Sequence, residues 1–356
     1  MEPTFLMILW FILVAVLWIG FFFLEGFDFG VAMLYPILGK DPRERRVMIN
    51  SIGPTWDGNE VWLLTAGGAT FAAFPGWYAS LFSGLYIPLF LVLMGLIIRG
   101  ISFEYRAIMP DDRWRDTFDW CGTIGSLIVA LVFGVGFANF WIGMPVAGDP
   151  PHMTQSLLSL FSPFGLLGGV MLVVLCTYHG AMFLSLKTAG SVYEKAQGYI
   201  AKVGWVAVLL LALFVVAGNI FYPASNNAWI EGWGTIVCWA VGIVSVVCLI
   251  ASMLLHKANR DGLAFILTGL SIATLFISIF VKMYGTLGFI SGAEGTLDLT
   301  IAASSPRTLT LMSFAALILV PIVLAYISWT YWVFRKRLHV DNMPDEPAEL
   351  AVKQAV

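Results

Sequence analysis

Two pairs of acidic residues border the first two long apolar segments of the chain. Glu25 and Asp28 close the apolar stretch that begins at Phe5. Asp57 and Glu60 stand at the start of the next stretch, within the sequence Trp-Asp-Gly-Asn-Glu-Val-Trp. Each pair is spaced three residues apart, which puts both carboxyl groups on one face of a helix. Carboxylates next to hydrocarbon are costly and are functional candidates by default, so the two pairs indicate proton handling inside a membrane.

The composition of the chain is that of an integral membrane protein. Of its 356 residues, 59% are hydrophobic and only 12% are charged, whereas soluble domains carry about 25% charged residues. A net charge of -3 without a long basic block argues against a nucleic-acid partner. The sequence contains no Gly-rich phosphate loop, zinc-ligand spacing or nucleophile constellation, so neither ATP-driven transport nor hydrolysis is supported.

Nine apolar segments are long enough to cross a membrane as helices, which takes about 20 residues for about 30 Å of hydrocarbon. They cover residues 5–24, 54–74, 77–98, 118–141, 164–186, 203–222, 232–255, 263–284 and 308–334. Continuous apolar runs favour helices over the alternating strands of a barrel. The sequence therefore predicts an all-α integral membrane protein with nine transmembrane helices, arranged as two four-helix bundles and one peripheral helix. Residues 1–338 form this membrane domain, and residues 339–356 form a polar cytoplasmic tail that we expect to be disordered.

The basic residues determine the predicted orientation. Of the 19 Lys and Arg residues, 17 fall in the loops after the odd-numbered segments or in the tail, and the exceptions are Lys282 and Arg307. Because cytoplasmic loops are enriched in Lys and Arg, we expect the N-terminus outside and the C-terminus in the cytoplasm. Both acidic pairs then lie toward the cytoplasmic face, where they could approach each other.

The four acids admit two interpretations at this stage. Carboxyl groups clustered in a low-dielectric region suit a proton relay. Alternatively, they are ion-pair partners of Arg99, which ends the third segment on the same side, or of Arg43, Arg45 and Arg46 at the interface. Arg99 itself either neutralises an acid or extends to the interface and anchors a lipid phosphate. The sequence leaves both interpretations open.

The chain has few residues that could ligate a redox centre. A b-type haem in a membrane needs axial His, or His with Met, on facing helices, and of the four histidines only His179 lies within an apolar segment. A lone intramembrane histidine is typically a hydrogen-bonded packing residue. The four cysteines lie in or beside apolar segments without a Cys-x-x-Cys motif, as expected of small buried hydrophobes. We therefore expect that this chain alone binds no metal and no haem.

Several motifs carry a resemblance to a known family. They are Gly-Phe-Asp-Phe-Gly at 26–30, Glu-Arg-Arg-Val-Met-Ile-Asn-Ser-Ile-Gly-Pro at 44–54, Trp-Asp-Gly-Asn-Glu-Val-Trp at 56–62, Thr-Ala-Gly-Gly-Ala at 65–69, and the stretches 162–170 and 300–309. In these motifs, and over essentially its whole length, the chain resembles subunit II of the cytochrome bd-type quinol oxidases of bacteria.

The resemblance implies an enzyme subunit in the bacterial cytoplasmic membrane. The oxidase of this family is a heterodimer of two similar nine-helix subunits, in some cases with small single-helix accessory subunits. It oxidises quinol, reduces dioxygen to water and generates a proton gradient without pumping. The two b haems, haem d and the quinol-oxidising loop belong to subunit I. Subunit II is required for assembly and, in some members, supplies acids to a cytoplasmic proton path and binds a structural quinone, so a quinone or lipid site is conceivable here.

Together with the spacing of the acids, the motifs give candidate residues for a proton path and two supporting residues. The path candidates are Asp57, Asp28, Glu25 and Glu60, and the supporting residues are Trp56 and Arg99. The family motif leads us to expect Asp at position 25, so the glutamate there is a mild departure that keeps the charge.

Two other functions compete with the oxidase interpretation. The runner-up is a proton-coupled secondary transporter that uses the same acids. Transporters tend to have inverted repeats and helices broken at the bilayer centre, and neither is evident in the sequence. The third is a purely structural partner subunit whose acids all take part in interhelical pairing.

Overall fold

Twelve α-helices make up most of the protein in the computed structural model, which describes residues 2–109, 111–290 and 296–343. In chain order they are α1 (Phe5–Met33), α2 (Tyr35–Leu38), α3 (Pro42–Ile52), α4 (Trp56–Ala73), α5 (Pro75–Gly84), α6 (Tyr86–Tyr105), α7 (Asp112–Ile142), α8 (Pro163–Lys187), α9 (Ser191–Phe221), α10 (Gly234–Lys257), α11 (Asp261–Met283) and α12 (Pro306–Val333). Eight of them, α1 and α6 to α12, are long and apolar enough to cross a membrane. The protein is thus a multi-pass, mainly α-helical membrane protein, as the sequence predicts.

The helices depart from the predicted spans at the acidic residues and at one break. Helix α1 does not end before the first acidic pair but continues through Glu25 and Asp28. A hydropathy pattern ends a span at the first charge, whereas both side chains are buried here and have polar partners. Helix α4, which carries the second pair, has 18 residues and is not among the eight apolar helices. The predicted span 77–98 is divided into α5 and α6, which meet at Leu85.

A small sheet joins two connections that the sequence predicts as irregular loops. Its strands are β1 (Met144–Ala147), β2 (His152–Met153) and β3 (Phe289–Ile290), in the order β2-β1-β3. The pair β1–β2 is antiparallel and the pair β1–β3 is parallel. Strands this short carry no periodic signal in the sequence. Met144 and Phe289, which pair between β1 and β3, are both buried. The sheet ties the connection before α8 to the one before α12.

Helix α1 lies at the centre of the bundle and packs closely against α8 through glycine. A side chain built on Gly30 would place its Cβ 1.9 Å from the carbonyl oxygen of Cys176 and 2.9 Å from the Cα of Gly180. Small residues let helix backbones approach in this way, and such contacts are a main source of helix association in membranes. About two turns earlier in α1, the rings of Phe22 and Phe276 stack with their centroids 4.0 Å apart and join α1 to α11.

Helix α12 lies at the edge of the bundle, and Leu309 is its one buried residue in the part of the chain described. Near its start, the indole N–H of Trp10 is shared between the carbonyl oxygen of Leu309 and the hydroxyl of Ser313, at 3.2 and 3.0 Å. Beyond its end, residues 335–343 run back across the bundle, and we call them the C-terminal strap. Residues 344–356, most of the predicted polar tail, lie outside the described residues.

The strap is attached by backbone hydrogen bonds to the connection between α8 and α9. The N–H of Leu338 donates to the carbonyl of Lys187 at 2.8 Å, and the N–H of Ala189 donates to the carbonyl of Leu338 at 2.9 Å. The guanidinium of Arg337 also lies 3.5 Å from the carboxylate of Asp261 at the start of α11. These contacts fix the end of α12 that apolar packing leaves free.

The short helix α3 is held to the first turns of α9 by an ion pair between Glu44 and Lys195. Glu44 closes a capping box with Asp41 and lies 2.5 Å from the ammonium of Lys195. Burial alone would raise the pKa of Glu44, but hydrogen bonds from Lys195, Ser191 and the backbone of Asp41 outweigh it, so the pKa lies below its usual value. Helix α3 therefore stays attached at neutral pH.

Replacing Gly30 with Ala is expected to separate α1 from α8. The added methyl group would overlap backbone atoms of α8, which cannot rotate away, and overpacking of this kind costs about 1–3 kcal/mol or more. Thermal denaturation of the protein purified from membranes measures the loss. Gly198→Ala in α9 is the matched control, because a Cβ there meets nothing within 4 Å. Equal denaturation temperatures for the two variants would contradict the close contact.

Candidate functional site

Three predicted site residues meet in the interior of the bundle, where α1, α4 and α6 come together. Glu25, Asp28 and Arg99 each have an exposed fraction of 0%. Glu25 lies about 12 Å from the end of α1 and Arg99 about 9 Å from the end of α6, at 1.5 Å per residue. The acids are therefore inside the helical bundle and not at its surface. Glu60 of α4 reaches the same region with a side chain that is 24% exposed.

Arg99 is the centre of this cluster. Its guanidinium forms an ion pair with Glu25, and the same nitrogen lies 3.3 Å from Glu60. Aromatic rings of Phe29, Trp56 and Phe103 surround it, with centroids 4.9, 5.8 and 5.4 Å from the guanidinium carbon. Of the roles that the sequence leaves open for Arg99, the structure supports neutralisation of acids and not attachment to a lipid phosphate, because no part of the side chain reaches the surface.

Asp28, the second acid of α1, has hydrogen-bond partners of its own on α4 and α12. The amide N–H of Asn59 donates to the Asp28 carboxylate at 2.7 Å, and the hydroxyl of Tyr331 donates to the Asn59 carbonyl at 2.8 Å. Asn59 and Tyr331 were not predicted as site residues, since Tyr331 fits the aromatic belt expected at a span end. Only contacts between distant parts of the chain identify them.

The cluster contains more acid than base. Glu25, Asp28 and Glu60 face a single cation, Arg99, in the part of the chain that the structure describes. Uncompensated charge is very costly in a low-dielectric interior, so neutrality requires that some of these carboxyl groups carry a proton. The buried atoms Asp28 Oδ1 and Arg99 Nε and Nη2 make no hydrogen bond within the described protein, which leaves them able to bind water. The arrangement can hold and exchange protons.

Asp57 lies apart from the buried acids. Its side chain is exposed on the outward face of α4, and it makes no hydrogen bond or ion pair within the described residues. It is nevertheless close enough to Glu60 for their charges to interact. The neighbouring Trp56 points inward and stacks on Phe103 at 4.6 Å. The sequence correctly groups the acids by helix but does not distinguish the exposed member from the buried ones.

Arg45, another of the proposed ion-pair partners, lies away from the cluster. Arg45 pairs with Asp116 and, at 3.1 Å, with Asp119 on α7, and these partners outweigh burial and raise its pKa. His179 is buried in α8, 3.0 Å from the carbonyl oxygen of Phe23, and stacks on Phe265 at 4.8 Å. Among the described residues, no group of three or more His, Cys, Asp or Glu side chains could hold a metal ion.

Comparison with known proteins gives a consistent result over the whole chain. The family model described as cytochrome bd terminal oxidase subunit II matches residues 6–334. The chain is 40% identical to cytochrome bd ubiquinol oxidase subunit 2 of Bacillus subtilis, over 93% of this chain and 96% of the relative. It is 36% identical to cytochrome bd-I ubiquinol oxidase subunit 2 of Escherichia coli K12, over 94% and 96% of the two chains.

One solved structure has the same fold. A chain of the bd oxidase from Geobacillus thermodenitrificans matches with a TM-score of 0.70 and 18% identity, and the match covers 94% of this chain and 100% of that one. At this identity the likeness concerns the fold alone.

Removing the cation of the cluster is expected to destabilise the protein strongly. Arg99→Met leaves the fully buried Glu25 and the partly buried Glu60 without a counter-charge, and breaking a buried ion pair in this way costs about 3–5 kcal/mol. Thermal denaturation of the purified protein measures the loss, and Arg113→Met at an exposed position is the control. The double variant Arg99→Met with Glu25→Gln should recover part of the loss. Equal stability of the Arg99 and Arg113 variants would contradict the central position of Arg99.

Proposed function

Because the chain belongs to the cytochrome bd terminal oxidase subunit II family and is a subunit of a quinol oxidase, we propose that it is the haem-free subunit of that enzyme. In this role it stabilises the haem-bearing subunit I and supplies a path for protons from the cytoplasm toward the site of dioxygen reduction. The haems b and d belong to the partner, which carries out the redox chemistry of quinol oxidation. The resulting proton gradient arises without pumping.

The observation that carries the proton path is the graded burial of the acids. Asp57 is exposed, Glu60 is 24% exposed, and Glu25 and Asp28 are fully buried. A proton taken up at Asp57 would meet acids of decreasing exposure, with Arg99 balancing the charge of the inner ones. Excess carboxyl groups in the cluster provide the sites on which protons would be held.

The proposed number and orientation of the membrane spans are based on the helices described above. We place nine spans in the membrane by adding α4 to the eight apolar helices, with two four-helix bundles and α12 at the edge. The positive-inside rule places the N-terminus outside and the C-terminus in the cytoplasm. The membrane domain then covers residues 1–338, and the protein resides in the bacterial cytoplasmic membrane.

The outward face of α4 is the surface on which we place subunit I. Exposed apolar residues alone do not distinguish a protein partner from lipid. Asp57, in the first turn of α4, adds to the same face an exposed carboxylate, which needs water or a polar partner and cannot be covered by hydrocarbon. Glycines on the same helix support this, since a Cβ on Gly58, Gly67 or Gly68 would meet nothing within 4 Å. Small residues permit a neighbouring helix to approach closely. The family also leads us to expect a structural quinone or lipid and, in some oxidases, small single-helix accessory subunits.

Replacing Asp57 with Asn tests the proton path. We expect oxidase turnover to fall by about tenfold or more, since a positioned proton-transfer group typically contributes about 100-fold or more. Haem content should stay normal because Asp57 has no partner within the described residues. Quinol-driven oxygen consumption per haem is the measurement, and Glu231→Gln, an exposed acid between α9 and α10, is the control. Unchanged turnover would refute the relay, and loss of haem would assign Asp57 a structural role.

A further inference from the structure

A chain of two hydrogen bonds joins the peripheral helix α12 to Asp28, one of the two fully buried acids. The Tyr331 hydroxyl donates to Oδ1 of Asn59 at 2.8 Å, and Nδ2 of Asn59 donates to Oδ2 of Asp28 at 2.7 Å. Asn59 and Asp28 are 2% and 0% exposed. The three residues come from α12, α4 and α1, so the chain crosses three helices that pack around the acid cluster.

The orientation of the Asn59 amide decides which form of Asp28 it can bind. An amide offers donors on one side and an acceptor on the other, whereas an ionised carboxylate can only accept. With its N–H toward Asp28, the amide binds the ionised carboxylate. After a half-turn its oxygen would face Asp28, and only a protonated carboxyl group could then bind it. In the structure the tyrosine hydroxyl donates to the amide oxygen. A half-turn of the amide would break this bond and require the hydroxyl to accept an amide N–H instead.

The position of Tyr331 depends on polar contacts because apolar packing of α12 is slight. Leu309 is the buried residue of this helix within the described chain. The outer end is held by the Trp10 indole. The end that carries Tyr331 is held by the C-terminal strap, through the backbone bonds of Leu338 to the α8–α9 connection. The hydroxyl is therefore presented to Asn59 at a fixed place.

We propose that Tyr331 is a positioning residue for Asp28. Its hydroxyl holds the Asn59 amide in the orientation that binds the ionised carboxylate, and the strap keeps Tyr331 in reach. The inference rests on the proposed function in one respect, since the exchange of a proton at Asp28 matters for turnover only if Asp28 lies on the path. The hydrogen-bond relation itself does not depend on that function.

Tyr331→Phe in the intact oxidase removes the hydroxyl and keeps the ring. The readout is the infrared carboxyl band of Asp28, assigned by its loss in Asp28→Asn and normalised to haem. We expect the ratio of protonated to ionised Asp28 to change by about fivefold, the equilibrium equivalent of one neutral hydrogen bond. Tyr199→Phe is the matched control, because it removes a similar hydroxyl bond, 3.0 Å to Thr177, away from the cluster.

A double variant tests whether Tyr331 acts through Asn59. In an Asn59→Leu background, Tyr331→Phe should leave the Asp28 band unchanged, because the amide that transmits the effect is absent. Additive changes would overturn the proposal. An Asp28 band in Tyr331→Phe that matches the parent enzyme, or a fall in haem content without a change in the band, would also overturn it. Normal turnover in Asp28→Asn would instead refute the proton path and leave the infrared result to decide the role of Tyr331.

Discussion

The buried guanidinium of Arg99 is the constraint on which the rest of the structure depends. A fully buried cation is tolerated only when counter-charges and hydrogen bonds replace its hydration. Glu25 from α1 and Glu60 from α4 provide the charges, and the rings of Phe29, Trp56 and Phe103 line the remaining sides. Helices α1, α4 and α6 are therefore joined by one ionic centre, and a shift of any of them would leave a charge without a partner.

The close packing of α1 against its neighbours keeps the acids around Arg99 buried. Acids this far inside a bundle need a helix that is itself surrounded by protein, and α1 is brought against α8 by the contact at Gly30. The aromatic stack of Phe22 on Phe276 packs α1 against α11 as well. Glu25 and Asp28 are both 0% exposed, so neither carboxyl group is in direct contact with bulk solvent. This isolation makes the protonation of the cluster depend on a few specific groups and not on the bulk solvent.

Much of the fold follows from hydropathy, and much of the site does not. Long apolar runs locate the spanning helices because nothing else satisfies their backbone in lipid. Hydropathy does not predict that α1 continues past Glu25, because Arg99, which offsets the charge of Glu25, lies on another helix. The i, i+3 spacing places Asp57 and Glu60 on one face but does not state how deep each lies. Asn59 and Tyr331 meet across 272 positions, and no local pattern carries that information.

In a membrane protein, exposed polar groups are more informative than exposed apolar ones. Leu64 and Phe71 on the outward face of α4 are 72% and 58% exposed, and lipid would solvate them as well as a protein would. Asp57, in the first turn of the same helix, needs water or a polar partner, because hydrocarbon does not solvate a carboxylate. A subunit docked on this face, as we propose, would have to leave Asp57 a polar partner or a hydrated passage. The proposed uptake of protons at Asp57 depends on that contact, because the acids behind it are progressively more buried.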